Sequence, residues 1–141
     1  MATIIDIADA IVAELNGESF SQPFTAERAY KPTFDLQEMQ DLHVTVVPKE
    51  LASQQSSRSL IQQDFQIDIG IQKKLEADDA EIDALMGLVE EIADFFRQGR
   101  LSAVPNAGLI RTENAPVFSP EHLSELRQFT SVLTLTYRMM R

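Results

Sequence analysis

A two-layer α+β fold, with two amphipathic helices on one face of a mostly antiparallel sheet of about five strands, is the architecture this sequence predicts. Three observations carry that expectation. Ile82, Leu85, Val89, Ile92 and Phe96 recur by three and four, the spacing of one helix face. Phe65, Ile67, Ile69 and Ile71 alternate with Gln66, Asp68, Gly70 and Gln72, the spacing of a strand with one buried side. The stretch FTSVLTLTYRMM, Phe129 to Met140, is rich in Thr and other β-favouring residues. With 141 residues the chain is one domain by size. Such a chain buries about two thirds of the surface it exposes when unfolded.

The elements follow in order. Ile4, Ala8, Ile11 and Leu15 step by four, three and four, with Ile7 and Val12 beside them, and predict a first helix. Thr3 caps its first turn with Asp6 three residues on, and Asn16-Gly17 is its stop. The region Phe20 to Leu36 is a weaker strand, held to an edge or a bend by Pro23 and Pro32. LHVTVV, Leu42 to Val47, is a strand ended by Pro48. Glu50 to Gln63 is rich in Ser and Gln without either period; it reads as a flexible loop, or as an arm that orders against a neighbouring subunit. The strand Phe65 to Ile71 follows and pairs back on LHVTVV as a hairpin. Asp78 to Gln98 is the second helix, capped by Asp78 or Asp79 and stopped by Gly99. A short strand is expected at Gly108 to Thr112 and a helical turn at Ser119-Pro120-Glu121. The Phe129–Met140 strand is expected to pair inside the sheet.

Composition narrows the function classes. Twelve Lys and Arg stand against 22 Asp and Glu, a net charge of −10. That balance opposes general nucleic-acid binding and anionic membranes, which need clustered cations. No cysteine is present, so disulfides and thiolate chemistry are excluded. The first residues lack the pattern of a signal peptide, and no apolar run is long enough to span a membrane.

No catalytic constellation emerges, and the expectation is a protein that is not an enzyme and holds no cofactor or metal. Asp64 and Asp68 share a strand face, but four residues of strand hold them about 13 Å apart. A glycosidase pair needs about 5 to 9.5 Å. His43 and His122 belong to no metal-binding spacing, and neither a nucleophile elbow nor a glycine-rich phosphate loop is present.

Surfaces for contact are the better candidates. On the second helix Asp79, Asp83, Glu90 and Asp94 form an acidic stripe about 60° wide. Leu88 and Phe95 widen the apolar arc beyond what one sheet contact requires, and are expected either to cover a sheet edge or loop or to meet a partner subunit. Lys73, Lys74, Arg97 and Arg100 could pair with the acidic stripe of another copy; Arg97 and Arg100 also suit a helix C-terminus. Asp64, Gln66 and Asp68 form a polar strand face.

Three segments together, DFQIDIGIQKKL, EIDALMGLVEEIADFFRQGRL and RQFTSVLTLTYR, resemble the tail terminator proteins of long-tailed bacteriophages and prophages. These are also called tail completion or tail-to-head joining proteins, and include the minor tail protein U type. The resemblance in element order covers nearly the whole chain. It implies an α/β unit assembled as a hexameric ring at the head-proximal end of the tail. Such a ring ends tube polymerisation, contacts the tail tube protein and the head–tail connector protein, and lets genome DNA pass without specific binding. It also implies a virion protein made in the host cytoplasm, with no enzyme activity and no cofactor. The resemblance carries over no residue roles; our own expectation is that Asp64, Gln66 and Asp68 face the lumen or a neighbour, and that Lys73, Lys74, Leu88, Phe95, Arg97 and Arg100 belong to a subunit interface or the lumen. Another neck component, a stopper or adaptor, remains an alternative, as does a monomeric protein-binding domain.

Overall fold

The computed structural model describes residues 3–30, 42–74, 79–99, 101–114 and 128–140. The chain runs α1 (Ile4–Gly17), β1 (Thr25–Arg28), β2 (His43–Gln55), β3 (Ile61–Lys74), α2 (Asp79–Gln98), β4 (Gly108–Asn114) and β5 (Gln128–Met140). The strands form one sheet in the order β1-β2-β3-β5-β4. Only β1 and β2 run parallel; the other junctions are antiparallel. This is the α+β fold that the two periodicities predict, with helix, three strands, helix and two strands in the expected order.

The helix boundaries follow local chemistry. Thr3 accepts from the Asp6 amide at 3.3 Å while Asp6 accepts from the Thr3 amide at 2.9 Å, so two free donors of the first turn are satisfied reciprocally. Asn16, just inside the end of α1, clamps β1: its side-chain amide donates to the Ala26 carbonyl at 3.1 Å, and its Oδ1 accepts from the Ala26 amide at 2.8 Å. A short edge strand is thus tied to the helix before it. The cap of α2 at Asp78, the helical turn at Ser119, and residues 31–36 of the weak strand region lie outside the described residues.

One side of the sheet and both helices make the core. Register places Val44, Val46, Phe65, Ile67, Ile69, Ile71, Leu133, Leu135 and Tyr137 on this side, and all are buried. α1 packs on β1 and β2, and α2 on β4 and β5. The stretch after α2 adds Leu101, Val104 and Ala107 to the same core. Phe20 leaves α1 to stack on Phe24 and to meet Phe95 edge-on at 5.4 Å.

Two strand expectations need correction. Pro48 does not end β2: the strand continues to Gln55 past a bulge between Pro48 and Glu50. Proline lacks a donor and is tolerated where one side of a strand is unpaired. The β1 pairing stops at Val46, so that condition holds here among the described residues. In consequence Glu50 to Gln63 is not a loop. It forms the outer half of a long β2–β3 hairpin, turned at residues 56–60. Every residue from Glu50 to Ile61 is exposed. Without a buried side no alternation is demanded, so the residues carry no strand period.

Candidate functional site

No described helix packs on the second face of the sheet. Register assigns to it Glu50 and Ala52 of β2, Asp64, Gln66 and Asp68 of β3, Thr134, Thr136 and Arg138 of β5, and Arg111 and Glu113 of β4. It is the polar parity of the same strands whose apolar parity builds the core.

Asp64 and Asp68 of this face bond to side chains of β5. Arg138 Nε donates to Asp64 Oδ1 at 2.8 Å and its Nη2 to Oδ2 at 3.1 Å, a two-pronged contact. The guanidinium holds the Asp64 carboxyl below its ordinary value of 3.8. Thr134 Oγ1 donates to Asp68 Oδ1 at 2.6 Å, and Lys49 Nζ stands 3.9 Å from the same oxygen. Arg111 reaches Glu113 at 3.5 Å. Gln66 lies between Glu50 and Thr136 in register. Asp64 and Asp68 therefore each have their own partner on β5 and do not converge on a shared point. The Asp64 and Asp68 carboxylates are thus each compensated by a neighbouring side chain.

The remaining sequence candidates separate. Lys73 is drawn to the helix side, where it sits opposite Phe129 and meets Glu81 of α2 at 3.2 Å; the expected pairing with another copy is corrected to a contact within the protomer. Lys74, one residue on, is exposed and lies opposite Gln128 on the second face of the sheet. Leu88 is 0 % exposed and belongs to the core, which corrects its assignment to a subunit contact. The apolar arc of α2 is wide because the helix is enclosed by the sheet and by neighbouring apolar segments. Phe95 is half-buried and holds ring contacts with Phe20 and Phe96, so it covers a loop, one of the two uses its position allows. Arg97 bonds Asp94 at 2.6 Å on its own helix. Arg100 lies outside the described residues, as does His122. The acidic stripe of α2 leaves Asp83, Glu90 and Asp94 exposed. Among the described residues no cluster of three or more His, Cys, Asp or Glu could hold a metal, and no helix is long and apolar enough to cross a membrane.

Two features escape sequence reasoning. An open cleft of about 450 Å³ lies where β1 meets β2, lined by Phe24, Thr25, Glu27, Leu42 and His43; it depends on which strand lies beside β2, and no local pattern encodes that. The second is the pair of outer sheet edges. Beyond Val46 the outer side of β2 has no partner strand among the described residues, and neither has the outer side of β4. Exposed apolar side chains gather around them: Leu51 and Ile110 lie on the edges themselves, and Leu60, Ile61 and Met140 lie near the hairpin end.

No family model matches the sequence, and no curated protein matches it. Among solved structures the chain is similar to the sheath/tube terminator of an extracellular contractile injection system, PVC, determined by cryo-EM in the extended state. The TM-score is 0.57 at 15 % identity. The likeness takes in 100 % of this chain and 57 % of that one, so this chain spans little more than half the length of its neighbour. At that identity the likeness establishes a shared fold.

Proposed function

We propose that this chain is a structural protein of a tail-like particle, assembling as a ring, six copies in the family it resembles, at the end of a tail tube and ending the tube's growth. The observation that carries the reading is the fold likeness, over the whole of this chain, to the sheath/tube terminator of a contractile injection system. The segment resemblance to phage tail terminators points the same way. In this reading the ring also meets the head–tail connector protein, and the protein resides in the virion after assembly in the host cytoplasm. It performs no catalysis and needs no cofactor.

The geometry supports such a part physically. A ring requires two different surfaces on each copy that fit one another, and the sheet has two dissimilar outer edges, on β2 and β4, without a partner strand among the described residues. We assign the second face of the sheet, with Asp64, Gln66 and Asp68, to the lumen. There the cations Lys49, Arg111 and Arg138 are each matched with a carboxylate. They offer little to a phosphate backbone, whose capture depends on free Lys and Arg. DNA would pass without being held.

The test is assembly. Purified protein added to polymerising tail tubes should stop elongation and appear as a ring at one end by electron microscopy. Particles made without the protein should carry tails of uncontrolled length that fail to join filled heads. Tails of correct length joined to filled heads in its absence would overturn the function.

A further inference from the structure

We infer that neighbouring copies join by strand addition: the outer edge of β2 in one copy pairs antiparallel with β4 of the next, and Glu50 lies opposite Arg111. The inference deepens the ring reading above and rests on it.

The argument is one of rows. Strand partners define lines of residues running across the sheet, perpendicular to the strands. One line on the second face of the sheet runs Glu50, Gln66, Thr136, Arg111. It begins with a carboxylate on one edge and ends with a guanidinium on the other. The line beside it runs Leu51, Phe65, Tyr137, Leu109, with an apolar residue at each end. The next runs Ala52, Asp64, Arg138, Gly108, with a small residue at each end. A copy placed beside another in the same register therefore sets opposite charge against opposite charge, apolar against apolar, and small against small. Opposite charges directly across a strand pair attract, and apolar pairs there add to it.

Direction and length agree. β2 and β4 run in opposite senses, because three antiparallel junctions separate them. The new junction is therefore antiparallel, like those inside the copy. β1 leaves the β2 edge at Val46, and Val46 shares a row with Asn114, the last residue of β4. The free length of β2 thus starts where a neighbouring β4 would finish. Exposed edges of this kind are templates for another chain, and proteins usually blunt them. Here Pro48 and Lys49 blunt one stretch only, and the strand resumes its regular pairing from Glu50. Both side chains are exposed: Arg111 is 66 % exposed, with Glu113 of its own strand at 3.5 Å, and Glu50 pairs with no cation among the described residues. Because the two edges are different surfaces, the contact is head-to-tail, the kind that closes into rings.

The chain has no cysteine, so engineered disulfides report without background. In one copy Glu50 and Arg111 are three strand spacings apart, about 14 Å, which exceeds the roughly 7 Å a disulfide can bridge. Glu50→Cys with Arg111→Cys, oxidised under assembling conditions, should give a ladder of covalent oligomers. Ser53→Cys with Arg111→Cys, three rows out of register, should give none. In parallel, Glu50→Arg or Arg111→Glu should weaken association by roughly two- to fivefold per interface, and the two together should restore it. Wild-type oligomers that show neither the matched ladder nor rescue would overturn strand addition and leave the ring reading standing. A protein that stays monomeric at every concentration, with tubes and without, would overturn both.

Discussion

Replacing Leu88 by alanine separates two uses of the wide apolar arc on α2. Leu88 is 0 % exposed, so the substitution removes three carbons from a closed interior. At about 0.8 kcal/mol for each buried methylene, the lost transfer energy is about 2.4 kcal/mol. The cavity left behind brings the total to about 3–4 kcal/mol, inside the range of roughly 2.7–5.0 for buried Leu-to-Ala changes. For a chain of this size that lowers the melting temperature by about 10 °C. It also moves the urea midpoint down by about 2 M for a slope near 1.5 kcal/mol/M. Equilibrium urea denaturation followed by far-UV circular dichroism measures it. Leu51→Ala is the companion: Leu51 is 49 % exposed on the outer hairpin, and its loss should change stability by no more than about 0.5 kcal/mol. If Leu88→Ala keeps the parent midpoint and alters only self-association, the side chain faces a partner and the packing argument fails.

Three further outcomes follow from contacts described above. Asp64 titrates below its ordinary value because Arg138 bonds its charged form, so its stabilising contribution is complete above the unfolded carboxylate's pKa and is lost as pH falls through the folded one. Asp64→Asn should accordingly flatten the acid limb of stability below about pH 4, read as urea midpoint against pH; an unchanged limb would remove the pair from the acid response. Phe20→Ala, Phe95→Ala and the double variant should show a coupling of about 0.5–1.5 kcal/mol beyond their separate costs, and strict additivity would mean the edge-on contact at 5.4 Å contributes nothing of its own. Asn16→Ala removes both hydrogen bonds that hold Ala26 and should cost about 1–2 kcal/mol, with faster amide exchange at Ala26 than in β3; equal protection in parent and variant would refute the clamp.

The fold was legible wherever one side of an element is buried. The alternation from Phe65 to Ile71 and the three-and-four spacing from Ile82 to Phe96 are each imposed by a core on one side, and the core leaves that mark on the residues. Thr3 with Asp6 and the short Gly108 strand were legible for a different reason: capping and turn chemistry are local. Glu50 to Gln63 carried no mark because both of its faces are exposed. Leu88 misled because a helical wheel reports how wide an apolar arc is, but not what encloses it. Lys73 misled because its neighbour in the folded chain, Glu81, begins the next helix and lies on the side that strand parity assigns to it.

What the sequence determined by itself was the inventory of elements with a buried side: which of those segments become helix or strand, which parity of each such strand is apolar, the absence of thiol chemistry, and the acidic balance. Each of these is a property of residues close together along the chain. Only the tertiary structure decided that Asp64 meets Arg138, that Glu50 and Arg111 terminate one row on opposite edges, and that the outer half of β2 has no partner strand among the described residues. Those relations depend on strand order and register. Order and register are set by which apolar faces close over one another, and no residue encodes that alone.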